Sequence, residues 1–318
     1  MSRARRLIKP LLSTLIVLCT GYFFFRAFRR NWASIQAHEF RISPGFLLCA
    51  ALGIVASSLL ATLAWYTAMN ALSRNKIDFR QSVAAVNASS LTKYIPGKVW
   101  SYALQMYWLD GLGISKALIV YVNLVNLLIS LGTSLMLGLV CLLVSHGTIP
   151  LQPVLAGLVV LVCADALCIL FNRALLNALV TLVNRVLKRN FSYFEVEKSL
   201  LVKLHLIHFV AGIASGLGAY AFCYAIGYRI ELERALLVIG STLVADVAGF
   251  LAIVVPGGLG VREGLMYAML GGQATGSLAL IVPVASRMLS MTVDVLLGGV
   301  ALRLLRSLAI SKRAPLET

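Results

Sequence analysis

Long apolar runs constrain the fold of this chain more than any other feature of its sequence. A helix needs about 20 apolar residues to cross the hydrocarbon core of a bilayer. The seven runs close to or above this length cover residues 7–25, 46–72, 117–144, 154–171, 200–228, 236–255 and 278–300. The polar segments between them are too short to fold as separate domains. The sequence therefore predicts an all-α polytopic membrane protein with about six to eight transmembrane helices.

The charges predict how the chain is oriented in the membrane. Lysine and arginine outnumber aspartate and glutamate, which gives a formal net charge of +16. Basic residues in short loops hold those loops in the cytoplasm and attract anionic lipid, whereas a nucleic-acid partner would need a basic soluble face that this chain lacks. We therefore expect a multi-pass protein with both termini in the cytoplasm. Four arginines oppose this topology because it places them outside: Arg26, Arg29, Arg30 and Arg41.

A proline–glycine break interrupts the apolar pattern in the last third of the chain. It consists of Pro256, Gly257, Gly258 and Gly260. Proline cannot continue a helix, and glycine accepts backbone angles that are closed to other residues. Arg262 and Glu263 follow at what should be membrane depth. Irregular backbone is tolerated there only inside protein or beside a wet cavity, and ionisable residues there are functional candidates. The alternative is an ordinary loop that carries charges.

The same break occurs 160 residues earlier, at Pro96 and Gly97. With that shift, eleven of the forty-seven positions from residue 94 to residue 140 are identical without a gap. This pattern indicates two inverted repeats, each with a re-entrant hairpin broken by Pro-Gly, at residues 81–109 and 236–270. Transporters built from such units bind their substrates near the midplane of the bilayer.

The repeat divides a single membrane domain, residues 1–318, into five parts. They are an N-terminal span and outer loop (1–45), a first repeat (46–144), a connecting span with an amphipathic surface helix (145–199), a second repeat (200–303) and a basic cytoplasmic tail (304–318). The surface helix is predicted at residues 173–189, where leucine and valine recur at helical spacing beside clustered basic residues.

Three basic residues are candidates for binding a lipid phosphate: Lys98, Arg262 and Arg287. Each break should leave unpaired backbone N–H groups where the next helix begins, which favours an anion. Arginine binds phosphate through its planar fork and lysine as a point charge. For Lys98, as for Lys93, the alternative is that the side chain extends to the cytoplasmic surface. Glu263 either pairs with Arg262 or takes up a proton during transport.

Two stripes of polar side chains lie on spans that the repeat makes equivalent. One consists of Arg287, Ser290 and Asp294, and the other of Asn123, Asn126, Ser130 and Ser134. Residues three or four apart share a helix face, so the stripes predict two walls of a hydrophilic groove. The alternative is that they form interhelical hydrogen bonds that only hold the bundle together. Asp246 and Asp165 lie within apolar runs, and either is a candidate partner for Arg287 or Arg262.

No feature of the sequence points to a cofactor, a metal or a reacting pair. His205 and His208 lack a third ligand nearby, and the six cysteines all lie in apolar runs without metal-ligand spacing. There is no nucleotide-binding loop and no nucleophile beside a base. We therefore expect a protein that has no cofactor and is not an enzyme.

The segments around the two breaks resemble those of a known family. They read PGGLGVREG (256–264) and YIPGKVW (94–100) and are similar to the transmembrane domain of the lysylphosphatidylglycerol synthase family, which moves aminoacylated phospholipid between leaflets. The resemblance implies a flippase-like fold with re-entrant helices and a lipid path that includes residues 256–263. Because the chain ends at Thr318, just after the last span, we do not expect the soluble aminoacyl-transfer domain of those enzymes or lysyl transfer.

Together these features favour a flippase of the bacterial inner membrane that carries a lipid or lipid-linked intermediate for envelope lipid or glycan assembly. The expected partners are membrane lipids, anionic or polyprenyl-linked, and no nucleic acid. One alternative is a non-catalytic membrane subunit that docks an envelope glycosyltransferase or a lipid-modifying enzyme. Another is a small-anion carrier. The sequence leaves the lipid, the energy source and a homo-oligomeric state open.

Overall fold

The computed structural model describes residues 25–26, 29, 32–36, 41–74, 76–94, 100–145, 181, 185, 195–252, 255, 258–271 and 276–313. Several parts singled out in the sequence lie wholly or mostly outside these residues. They are the apolar runs 7–25 and 154–171 and the surface helix predicted at residues 173–189.

Regular secondary structure in the described residues is entirely helical, which confirms the predicted all-α class. In chain order the helices are α1 (Trp32–Gln36), α2 (Pro44–Leu72), α3 (Phe79–Ser90), a short 3₁₀-helix (Leu91–Tyr94), α4 (Trp100–Asp110), α5 (Lys116–Ser145), α6 (Lys198–Ala225), α7 (Leu232–Leu251), α8 (Val261–Gly271) and α9 (Gly276–Arg313).

Five stretches within the described ranges are long and apolar enough to cross a membrane. They are Pro44–Leu72, Lys116–Ser145, Lys198–Ala225, Arg234–Leu251 and Ala279–Leu308. Each overlaps one of the apolar runs, so the chain is a multi-pass membrane protein, as predicted. α4 and α8 differ because they have 11 residues each. At 1.5 Å per residue each reaches about 16 Å, roughly half the thickness of the hydrocarbon core.

Local sequence signals explain where the helices begin. α2 starts at Pro44, whose missing N–H is no loss at the first helical position. At the start of α3, the backbone N–H of Asp78 donates to Oε1 of Gln81 at 3.0 Å. This contact satisfies one of the N–H groups that a helix start leaves without an intrahelical partner.

α2 and α6 pack against each other along a seam of small residues. The backbone N–H of Ser43 donates to the carbonyl of Ala225 at 2.9 Å, and a Cβ added to Gly53 would lie 2.7 Å from the Cα of Gly218. Contact positions that rise along α2 fall along α6, so the two helices are antiparallel. Small residues let helices approach this closely in a membrane, where apolar side chains alone give little preference for protein over lipid.

Two further packing contacts join the two halves of the chain. α5 packs mainly against α7, and α9 packs mainly against α3. A Cβ added to Gly138 in α5 would lie 2.9 Å from Cγ2 of Val244, and one added to Gly298 in α9 would lie 2.5 Å from Cγ of Leu91. These two glycines are 160 residues apart. The same shift carries the bounds of α4 and α5 onto residues 260–270 and 276–305, close to α8 and the first part of α9.

Candidate functional site

Two glycines and a glutamate build the start of α8. Gly258 and Gly260 have φ angles of 66° and 86°, the left-handed region that favours glycine. The backbone N–H of Gly260 donates to Oε2 of Glu263 at 2.6 Å. A glutamate at the third helical position that accepts from the residue before the helix is one half of a capping box. The break and the glutamate after it therefore fix the place and direction of α8.

The same glycines bring α8 against α7. A Cβ added to Gly258 would lie 2.4 Å from the carbonyl oxygen of Gly249, and one added to Gly249 would lie 3.0 Å from Cβ of Arg262. Asp246 lies three residues before Gly249, on the same face of α7. The approach places Arg262 beside Asp246, and Nε of Arg262 forms an ion pair with Oδ1 of Asp246. Of the partners considered from sequence, Arg262 therefore contacts Asp246.

Two further ion pairs lie near the first. Nε of Arg287 in α9 is 3.8 Å from Oε1 of Glu263, so that carboxylate contacts both the start of α8 and a second guanidinium. Nζ of Lys93, in the 3₁₀-helix, is 2.6 Å from Oδ2 of Asp294 in α9. The three pairs contribute three positive and three negative formal charges, which cancel.

Five of these six charged residues line one cavity of about 430 Å³, and we call it the ion-pair cavity. They are Lys93, Asp246, Arg262, Arg287 and Asp294. Ser290 lines the same cavity from α9, and Ser57 and Tyr102 line it from α2 and α4. The volume falls within the range of about 300–1,000 Å³ that is usual for ligand pockets. The cavity is therefore large enough for a polar headgroup.

A second cavity of about 420 Å³ adjoins the first. We call it the amide cavity because α5 lines it with two amides and two hydroxyls, those of Asn123, Asn126, Ser130 and Ser134. His208 of α6 lies in its wall, with Nε2 3.2 Å from Oδ1 of Asn126. The residues that line both cavities are Ser57, Ala61, Tyr102, Ser215, Asp246 and Phe250. The two polar stripes thus line neighbouring cavities with a common wall.

The structure does not describe every predicted site residue. Lys98, Pro96, Gly97, Pro256 and Gly257 lie outside the described ranges, and so does Asp165, the other candidate partner for an arginine. The phosphate-binding role of Arg262 and Arg287 and the coupling roles of Glu263, Asp246 and Asp294 stay predictions.

Several residues that were not selected from sequence line the cavities or bond to residues that do. Lys93 was given only a surface position, yet it contacts Asp294. Ser57 lies beside Ser58 within a long apolar run, where a serine usually bonds its own helix backbone. Gln105 accepts from Nδ2 of Asn123 at 2.7 Å and donates to Oγ of Ser89 at 3.0 Å. His208 was weighed only as a metal ligand.

Comparison with known proteins agrees with the membrane fold. No curated protein matches the chain. The family model described as the lysylphosphatidylglycerol synthase TM region matches residues 7–298 of the 318 residues. That match includes both breaks and both cavities, and it confirms the resemblance drawn from residues 94–100 and 256–264. The chain belongs to the lysylphosphatidylglycerol synthase TM-region family, a membership that points to a lipid-related function in the membrane.

Proposed function

We propose that the protein is a flippase that moves a phosphate-containing lipid between the leaflets of the bacterial inner membrane. The headgroup passes through the ion-pair cavity while the acyl chains stay in the bilayer. One observation carries the proposal: two arginines and a lysine line a cavity among helices of membrane-spanning length. Ionisable side chains are costly within a membrane and mark substrate pathways there.

The chemistry of the cavity suits a phosphate. Each guanidinium presents a planar fork that can bind two phosphate oxygens, and Lys93 adds a point charge. Arg262 is the second residue of α8, so the positive end of that helix lies beside the cavity. Backbone N–H groups and the helix dipole at such an end both favour an anion.

The helix arrangement supports two inverted units around this site. α2 and α6 hold the same place in the helix order of their halves, and they pack antiparallel. A two-fold axis that relates two antiparallel helices runs perpendicular to both of them. If these helices span the membrane, the axis lies in the membrane plane. α4 and α8 are too short to cross alone, as the second arms of re-entrant hairpins would be. The positive-inside rule then places both termini in the cytoplasm.

The proposal is tested by reconstitution into vesicles that contain a fluorescent short-chain phosphatidylglycerol. A membrane-impermeant reductant quenches the fluorophores in the outer leaflet, and the rate at which the remaining fluorescence is lost reports how fast the lipid changes leaflet. The rate is measured with and without a pH gradient. We expect wild type to speed the exchange and Arg262→Ala to slow it by about tenfold or more, because hydrogen bonds to charged groups contribute about 1.5–3 kcal/mol. Arg303→Ala is the matched control, since Arg303 is an exposed arginine outside both cavities.

Two results would contradict the proposal. Wild-type exchange equal to that of protein-free vesicles would exclude flipping of this lipid. Equal lipid exchange rates for Arg262→Ala and Arg303→Ala would show that the lipid headgroup does not pass through the ion-pair cavity. Size-exclusion profiles of both variants separate a loss of function from a loss of folding.

A further inference from the structure

Asp246 differs from the other two acidic residues in the ion pairs by its position and its access. It lines both cavities, whereas Asp294 lines only the ion-pair cavity. Its side chain is 40% exposed, compared with 14% for Asp294 and 7% for Glu263. Glu263 also caps α8 through Gly260. Among these three carboxylates, Asp246 is the one that solvent in either cavity can reach most easily.

The partner of Asp246 is also the leading candidate for binding phosphate. Arg262 already contacts the Asp246 carboxylate, so a phosphate that binds Arg262 must displace this carboxylate or share the guanidinium with it. If the carboxylate is displaced, it loses its counter-charge. If it shares the guanidinium, it lies close to a second anion. Uptake of a proton removes the negative charge of the carboxylate and with it this unfavourable interaction.

The charged and titratable groups in the cavity walls around Asp246 come from several elements. In the described residues of the two cavity walls, α8 supplies Arg262, α9 supplies Arg287 and Asp294, and the 3₁₀-helix supplies Lys93. α6 supplies His208, α4 supplies Tyr102, and the polar lining from α5 is neutral. Because the three ion pairs cancel, a bound phosphate monoanion leaves one net negative charge. A net charge is unfavourable without compensation where most of the ionic side chains around it are at most 14% exposed.

The amide cavity gives Asp246 a route to protons that avoids the ion pairs. The polar side chains that α5 contributes to its wall are amides and hydroxyls, which hold water without holding a counter-ion. His208, hydrogen-bonded to Asn126, lies in the same wall. Because Asp246 lines both cavities, a proton carried by water in the amide cavity reaches the carboxylate from a different cavity than the one that holds the phosphate.

From this arrangement, and resting on the proposed function, we propose that Asp246 is the proton-binding residue of the site. The protein binds a lipid phosphate together with one proton. A hydrated proton in the amide cavity gives up one O–H bond and leaves a neutral water molecule. The new O–H bond forms at a carboxylate oxygen of Asp246, and Arg262 is released to the phosphate. Each ligand strengthens the binding of the other by the same factor.

The test uses the whole protein in detergent with a short-chain phosphatidylglycerol as the probe. Proton uptake on binding is measured in weakly buffered solution, and affinity is measured from mildly acidic to mildly basic pH. We expect wild type to take up about one proton per lipid, with an affinity that rises by up to about tenfold per unit fall in pH. Asp246→Asn should bind the lipid without proton uptake and with little dependence on pH.

A matched control and a second variant make the assignment specific. Asp110→Asn changes a carboxylate that is ion-paired with Lys116 outside both cavities, and it should keep the uptake of wild type. If Asp294→Asn abolishes the uptake while Asp246→Asn keeps it, the assignment to Asp246 is wrong. Asp246→Glu keeps a titratable group and should keep the uptake, which provides a test if Asp246→Asn does not fold.

The outcomes for wild type separate this inference from the proposed function. Binding of the lipid with no proton uptake at any pH overturns the inference and leaves the flippase proposal intact. No binding of this anionic lipid at any pH removes the phosphate site on which both proposals depend.

Discussion

The contact between Gly258 and Gly249 allows a sharp test of how the site is built. In Gly258→Ala the new Cβ would lie 2.4 Å from the carbonyl oxygen of Gly249, and φ at this position is 66°. A left-handed angle costs a residue with a side chain about 1–2 kcal/mol. Overpacking against a backbone that cannot move aside costs about 1–3 kcal/mol more. We expect a total loss of about 2–5 kcal/mol in the free energy of unfolding.

The same substitution should also reduce transport. If α8 moves away from α7 to relieve the clash, Arg262 separates from Asp246, because Cβ of Arg262 already lies close to Gly249. Thermal unfolding in detergent measures the stability, and the vesicle exchange assay measures the function. Both should fall in Gly258→Ala.

Gly264→Ala is the matched control for this experiment. Gly264 is in the first turns of α8, and a Cβ there would meet no heavy atom within 4 Å. Alanine is favoured over glycine inside a helix by about 0.5–1 kcal/mol, so this variant should be as stable as wild type or slightly more stable. A Gly258→Ala variant with the stability and exchange rate of Gly264→Ala would refute the proposed packing of α8 on α7.

Two further predictions concern the helix seam and an ion pair. Gly53→Ala should lower the midpoint of thermal unfolding because its Cβ would lie 2.7 Å from the Cα of Gly218. Gly45→Ala in the same helix should not lower it, since a Cβ there meets no heavy atom within 4 Å. Equal midpoints for the two variants would contradict the close approach of α2 and α6. Lys93→Met should destabilise the protein because it leaves the poorly exposed Asp294 without its lysine. Adding Asp294→Leu should recover about 0.5–1 kcal/mol in a double-mutant cycle, because Lys93 is 46% exposed and solvent weakens the pair. Additive losses would show that the pair is not coupled.

The membrane fold could be predicted from sequence because the bilayer sets a length. The run 46–72 became α2, and the run 117–144 became α5, each within two residues at either end. The break was also predictable, since α7 ends at Leu251 and α8 begins at Val261 on either side of Pro256. In these places one local rule decides the structure, and neighbouring helices do not change the outcome.

The pairing of charges could not be predicted in the same way. Arg262 is adjacent to Glu263 in sequence, but successive residues on a helix point in different directions. The contact of Arg262 with Asp246 instead depends on how closely Gly258 approaches Gly249. Lys93 was ambiguous because a lysine near a membrane surface usually extends to water, and its partner in α9 is about two hundred residues away in the chain.

Glycine contacts and ion pairs both join the helices, and their separate contributions to stability decide whether the charged side chains are needed for function. Close contacts at Gly53, Gly138 and Gly298 join helices from different halves of the chain, so the bundle has packing that does not need the ion pairs. Replacing even a buried ion pair by apolar side chains is often neutral for stability, and the Lys93–Asp294 pair is only partly buried, since Lys93 is 46% exposed. The double variant Lys93→Met with Asp294→Leu should therefore fold and yet flip lipid slowly. If it flips lipid at the wild-type rate, this pair serves only to hold α9 against the 3₁₀-helix.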